Sequence, residues 1–271
     1  LQPGDTALHC LPSHYIAGKM MFVRALVLGL ELDFVEPASH PIFDYEKHYD
    51  FCAMVPLQLK QSIAYTQNIK TIIVGGSMVT KPLLEKIKDA PSRFFETYGM
   101  TETVTHVAVR QLESKANKGE KYFAGLPDIK FGQDDRKCLL IDAPKLVKET
   151  LITNDIVDLE SETSFKLLGR FDNVINSGGV KLFPEQIEEK LQPIIKERFI
   201  IASEDDTDLG EKIVLIVENL KGSIDELSKK IETLKTLDKF ERPKKIYILE
   251  KFFETNNGKI QRKKTIKTLL G

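Results

Sequence analysis

Over its first hundred residues the chain alternates between short apolar runs and longer segments whose apolar residues recur every three or four positions. Residues 6–11 read as a buried strand entered from a Pro-Gly-Asp turn, and residues 16–30 as a helix that closes on Gly29. Residues 31–35 and 51–55 read as the next strands, and residues 56–66 as a helix with Pro56 near its first turn. Residues 70–74 are strongly β-branched and end on Gly75-Gly76-Ser77. Thr80 then reads as the N-cap of a helix with Pro82 in its first turn. Residues 93–96 read as a strand that runs into a Tyr98-Gly99 turn. Strand–helix alternation is the pattern of a largely parallel sheet covered by helices, and such sheets bind ligands beyond the carboxyl ends of their strands. Three loops fall there: Ser13-His14, Gly75-Gly76-Ser77, and residues 97–102.

The third loop is the most polar. Glu96-Thr97-Tyr98-Gly99-Met100-Thr101-Glu102-Thr103 packs hydroxyls and a carboxylate behind a hydrophobic strand. Two readings fit it. In one, hydroxyls and backbone N–H groups meet the anionic oxygens of a nucleotide while Glu102 meets Mg²⁺. In the other, a Thr-capped helix follows the strand, with Glu102 in its first turn. Three loops from successive strand ends can converge on one crevice, which favours the first.

Beyond residue 104, short β-rich runs at 105–110, 137–141 and 151–153 alternate with polar turns, as in a small antiparallel or barrel-like subdomain. The polar run Gly169-Arg170-Phe171-Asp172-Asn173 marks a boundary, giving domains at residues 1–171 and 172–271. The second reads as a compact α+β module. Asn176-Ser177-Gly178-Gly179 is a hairpin-type turn and Pro184 opens a helix over residues 185–191. Strands at 198–203 and 212–217 flank an acidic loop at 204–208; a helix at 223–234 and a strand at 245–249 follow. A Gly-containing loop carrying Lys259 enters a basic terminal helix. The expected class is therefore α/β, a large N-terminal domain with a smaller α+β C-terminal one.

Composition excludes several classes. A formal net charge of −1 gives no electrostatic case for nucleic acid or an anionic membrane. Cys10, Cys52 and Cys138 are odd in number, far apart in sequence and without metal-ligand spacing, which predicts a reducing, cytoplasmic setting and no disulfide frame. The apolar run at residues 20–30 contains Arg24 and is too short to span a bilayer. Opening on a turn without an initiator Met, the chain reads as a piece of something longer.

Several stretches, in this order, resemble the adenylate-forming superfamily of acyl-CoA synthetases, peptide-synthetase adenylation domains and luciferases. They are Gly75-Gly76-Ser77, residues 96–103, Thr153-Asn154-Asp155, Gly169-Arg170-Phe171-Asp172, Gly178-Gly179, Pro184 with Ile187-Glu188, and Asn257-Gly258-Lys259-Ile260-Gln261-Arg262. The resemblance implies ATP, Mg²⁺ and CoA as cofactor and co-substrates. It implies Glu102 on Mg²⁺ and Thr101 on the α-phosphate, with Gly75, Gly76, Ser77, Thr97, Tyr98 and Gly99 walling the nucleotide and acyl pockets. Asp155 and Arg170 would hold the ribose, and Lys259 would reach the reacting carboxylate and α-phosphate. The C-terminal domain would be mobile, with Asp172 as the hinge, or as an ordinary turn residue. Gly178 and Gly179 would line the CoA tunnel beside Lys181.

Two departures accompany it. Asn154 replaces a usual glycine. The Ser/Thr/Gly-rich phosphate loop is absent from residues 1–271, so the chain is expected to be N-terminally incomplete and poor at adenylation. Residues 11–21 with Val55-Pro56-Leu57-Gln58-Leu59 look like the short bacterial o-succinylbenzoate–CoA ligases of menaquinone synthesis. A dianionic aromatic acid calls for a cation beside an apolar slot. His14, Lys19 and Arg24 are candidates, against a packed loop histidine and solvated helix cations. A medium-chain or aryl acyl-CoA synthetase and a non-catalytic nucleotide-binding relative are the alternatives.

Overall fold

The strand Tyr49–Met54 shows why the first part of the chain forms a layered sheet. Phe51 and Ala53 pack with Ala7, Leu11 and Met21 on one face, while Cys52 and Met54 pack with Leu59, Leu83 and Ile87 on the other. A strand buried on both faces has to be apolar throughout, and this one nearly is.

The computed structural model describes residues 1–255 and 260–270. In chain order the first elements are β1 (Thr6–His9), α1 (Ile16–Leu28), β2 (Glu31–Phe34), β3 (Tyr49–Met54), α2 (Pro56–Ser62), β4 (Ile69–Val74), α3 (Lys81–Ile87) and β5 (Arg93–Gly99). Then come β6 (His106–Leu112), β7 (Phe123–Gly125), β8 (Lys130–Gln133), β9 (Cys138–Asp142), β10 (Leu151–Ser161) and β11 (Ser164–Arg170). The remainder is β12 (Ile175–Ser177), β13 (Val180–Leu182), α4 (Pro184–Leu191), β14 (Phe199–Asp206), β15 (Gly210–Glu218), α5 (Ile224–Thr233), β16 (Lys245–Leu249) and α6 (Arg262–Leu270).

Among the described residues, β2-β1-β3-β4-β5-β6-β7-β11-β10-β9-β8 is the order of the large sheet. Its first five strands are parallel and the direction reverses at β5–β6. The antiparallel strands anticipated beyond residue 104 thus continue the same hydrogen-bonded path, around a core of Tyr98, Phe123, Phe131, Leu139 and Phe165. The chain clusters into two compact units, Leu1–Thr153 with Val157–Leu167, and Asn154–Ile156 with Leu168–Gly271. In the second unit the sheet β13-β12-β15-β14, with β16 parallel to β15, carries α4 and α5 residues on one face. Ile266 and Leu269 of α6 pack on the other. No described helix is long and apolar enough to cross a membrane.

Several local expectations need correction. Helix α1 ends at Leu28, with Gly29 left-handed behind it at φ 67°. The helix expected through residue 66 breaks into α2 and a 3-10 turn, Ile63–Tyr65. Thr80 stands at the N-cap of α3 without a side-chain capping bond. Tyr98-Gly99 is not a turn: β5 runs through both, with a register irregularity between them. The acidic loop is largely strand, because Lys212 on β15 pairs with Glu204 and Asp206 across the hairpin and offsets their repulsion. Cys10 and Cys52, distant in sequence, bring their sulfurs to 4.0 Å, and none of the three cysteines is disulfide-bonded.

Candidate functional site

In the first unit the carboxyl ends of β4 and β5 lie side by side, because the two strands are parallel neighbours. The loop leaving β4 is held close to β5. A Cβ on Gly75 would stand 2.3 Å from Thr97 Oγ1, so any larger residue would displace that hydroxyl. Thr97 in turn donates its hydroxyl to the Val74 carbonyl at 3.3 Å. Gly76 has φ 87°, and Gly76, Ser77 and Met78 are exposed between the anchored ends. Of the predicted loop residues, Gly75 thus stands against Thr97.

Behind β5 the chain turns tightly. Gly99 sits so near β6 that a Cβ would be 2.6 Å from His106 Cα. Residues Thr101–Thr103 form a single 3-10 turn, so neither a long capped helix nor an open loop follows the strand. Thr103 is fully buried; its hydroxyl accepts the Met100 N–H at 3.0 Å and donates to the Thr105 carbonyl at 2.7 Å. Val104 closes the turn at φ 62°, a positive value that a β-branched residue rarely adopts. The tight turn leaves Thr101 and Glu102 exposed at its crest. The Tyr98 ring is buried edge-on against Phe165 at 5.1 Å, so it serves the core while its backbone borders the turn. No three His, Cys, Asp or Glu side chains gather into a metal cluster among the described residues. A Mg²⁺ carried by nucleotide phosphates needs only one or two carboxylates, and exposed Glu102 fits that need.

The acyl candidates separate. His14 is exposed and lies 4.1 Å from the Tyr15 ring, and Lys19 is exposed on α1. The loop carrying His14 is held down by Gly18, where a Cβ would meet the Pro12 carbonyl oxygen at 2.2 Å. Buried Gln58 ties the end of β1 to α2, donating to the Cys10 and Ala38 carbonyls and accepting the Val55 N–H. Arg24 differs from the other two. Its guanidinium is half-buried 5.8 Å from the Phe51 ring centre and donates to His106 Nδ1 at 3.4 Å. No carboxylate pairs with it among the described residues. Burial first, and then the Arg24 charge, push His106 down to about 4, so the imidazole is neutral at neutral pH. A cation packed against a neutral ring and an aromatic face is a ready anion site.

In the second unit Arg170 donates to Asp155 at 3.0 Å and lies 3.6 Å from Asp172, which also accepts from Asn154 at 3.3 Å. The two residues expected at the ribose are thus paired with each other. Gly178 and Gly179 form the turn between β12 and β13 at φ 57° and 80°, as a two-residue hairpin of the primed type requires. A Cβ on Gly179 would meet nothing within 4 Å, and Lys181 is exposed beside it. Arg262, at the start of α6, pairs with Glu188 and donates to the Ile201 carbonyl, while Glu188 accepts the Ile201 N–H at 2.6 Å. That closed ring ties the start of α6 to α4 and β14. Lys259 itself lies outside the described residues.

Sequence reasoning passed over His106 and set Arg24 beside His14 and Lys19 with nothing to single it out. A helix arginine amid apolar neighbours (Phe22, Val23, Ala25, Leu26) was the available signal for Arg24. His106 had none, since its partner is 82 residues away.

No family profile matches the chain. Among solved structures, the AMP-forming acyl-CoA synthetase/AMP-acid ligase II-like protein of Dyadobacter fermentans DSM 18053 is 36% identical, covering 99% of this chain and 79% of that one, with a TM-score of 0.59. The o-succinylbenzoate CoA synthetase of Bacillus subtilis, in complex with its acyl-adenylate intermediate, shares the fold at a TM-score of 0.78 and 20% identity, covering 96% of this chain and 60% of that one. The 2-succinylbenzoate–CoA ligase of Listeria monocytogenes serovar 1/2a is 27% identical over 288 residues, 96% of this chain. The chain spans 61% of the length of that curated relative. The 36% identity to the Dyadobacter protein, in agreement with the Gly75–Thr97 contact and the Thr101-Glu102 crest, places the family: the chain belongs to the AMP-forming acyl-CoA synthetases of the adenylate-forming superfamily.

Proposed function

We propose that the chain serves an ATP-dependent acid–thiol ligase that acts in two steps. A carboxylate oxygen attacks the α-phosphorus of ATP, giving acyl-AMP and pyrophosphate. The thiol of CoA then attacks the acyl carbon, giving the thioester and AMP. The observation that carries this reading is the exposed Thr101-Glu102 crest at the end of the strand whose Thr97 packs against Gly75.

In this reading Thr101 binds the α-phosphate with its hydroxyl and Glu102 holds Mg²⁺. When bound, Mg²⁺ neutralises charge on the phosphates. The exposed Gly76-Ser77 backbone borders the adenine. Asp155 accepts from the ribose hydroxyls, and Arg170, already hydrogen-bonded to it, keeps its carboxylate oriented. Lys259 supplies a positive charge to the carboxylate and α-phosphate during the first step. Residues 172–271 then turn about Asp172, and Gly178 and Gly179 leave room for the narrow arm of CoA, with Lys181 alongside.

For the acid we infer o-succinylbenzoate. Arg24 supports this choice: its charge faces no carboxylate among the described residues, and an aromatic dianion brings one carboxylate for the chemistry and a second for Arg24. Non-hydrolysable acyl-sulfamoyl-adenosines carrying o-succinylbenzoyl, benzoyl and octanoyl groups test it by calorimetry. The o-succinylbenzoyl compound should bind at least tenfold tighter than the benzoyl one. Tightest binding of the octanoyl compound would mean a medium-chain acid instead.

A further inference from the structure

Glu96 is a carboxylate inside a hydrophobic strand. It follows Phe94 and precedes Tyr98 on the buried face of β5, and it is 2% exposed. A buried charge survives only with partners, and Glu96 has two. Oε2 pairs with Arg110, which stands directly opposite on β6. Oε1 accepts the N–H of Val79 at 2.8 Å. Arg110 is itself fixed, its guanidinium carbon 5.1 Å from the Phe123 ring centre.

Val79 lies at the far end of the loop that leaves β4. The near end is pinned by the Gly75 N–H on the Met54 carbonyl at 3.1 Å and by Thr97 against Val74. Gly76, Ser77 and Met78 span the interval and are exposed. Their backbone can be presented at a fixed height above β5 only while both ends are held. The strand that supplies Thr97 on its one side therefore also supplies, one residue earlier and on its other side, the anchor for the loop facing Thr97.

We infer that Glu96 is a positioning residue for adenosine binding: it acts through the Val79 N–H to set the Gly76–Met78 backbone, and Arg110 acts by holding Glu96. The inference rests on the nucleotide reading of this loop and adds a residue that touches no ligand. It separates two roles of the carboxylate that one substitution would confuse, accepting a hydrogen bond and balancing a charge.

Two double variants of the 271-residue chain keep them apart. E96Q/R110M removes both charges but leaves a side-chain amide oxygen at position 96 to accept the Val79 N–H. E96L/R110M removes the charges and the acceptor together. The probe is benzoyl-sulfamoyl-adenosine, read by calorimetry, with hydrogen exchange of residues 75–80 and the thermal midpoint measured alongside. E96Q/R110M should bind within threefold of the parent. E96L/R110M should bind at least tenfold more weakly and exchange faster at Val79, at a thermal midpoint matching that of E96Q/R110M. Equal binding by both variants overturns the positioning role, as does a loss that merely follows the unfolded fraction. A parent chain that does not bind the probe overturns the nucleotide reading itself, and the inference with it.

Discussion

Arg24 and His106 show how much one side-chain pair can decide. An arginine that meets no carboxylate among the described residues keeps its attraction for a ligand's anion, and a charge-assisted hydrogen bond of this kind contributes about 1.5–3 kcal/mol. Arg24→Met should therefore weaken binding of the o-succinylbenzoyl adenylate analogue by roughly 10- to 100-fold. Binding of the benzoyl analogue should change less than threefold. Equal losses for both would assign Arg24 to packing on Phe51 instead. His106 makes a separate prediction. Its folded value of about 4 lies below the ordinary 6.5, so the unfolded chain binds the extra proton between those pH values. Stability is then full above about pH 6.5 and falls as pH drops toward 4, by on the order of 3 kcal/mol from this group. His9, also lowered by burial, acts in the same direction, so the diagnostic is a difference. Denaturant titrations of His106→Asn at pH 7 and pH 4.5 should show a smaller stability loss than the parent. An unchanged loss would contradict the assignment.

At the scale of elements, glycines define the site where two chain segments touch. Gly75→Ala should cost about 1–3 kcal/mol, because the new methyl group overlaps Thr97 Oγ1. Gly75→Ala combined with Thr97→Ala should recover most of that stability, since the clashing atom is gone. Urea midpoints for the two single variants and the double variant measure the coupling; no recovery would mean that Gly75 is needed for another reason. The alternation of strands and helices was legible because period and length are local properties. The loops at the ends of β1, β4 and β5 were legible too, since they follow from parallel topology. The end of β5 was misread because Tyr98-Gly99 carries turn-like residues. Gly99 is there for the approach of β6, a contact with no local trace. Glu96 was quoted only as part of a motif, yet a carboxylate in phase with Phe94 and Tyr98 already implied a buried partner.

Across the molecule the chain divides into two units, and the residues expected to carry the chemistry divide with it. Gly75, Thr97, Thr101, Glu102 and Arg24 belong to the first; Asp155, Arg170, Asp172, Gly178, Gly179 and Lys181 belong to the second. Motif order exposed the membership because the motifs are short and ordered, whereas the Arg170–Asp155 pair could not be read from residues 15 positions apart. The central claim, acyl transfer from adenylate to thiol, is tested most directly by supplying pre-made o-succinylbenzoyl-AMP and CoA to the 271-residue chain and following AMP and thioester together. The account predicts CoA-dependent release of AMP with one thioester formed per AMP, abolished by heat denaturation of the protein. AMP release that is independent of CoA, or no release above the rate without protein, would contradict it.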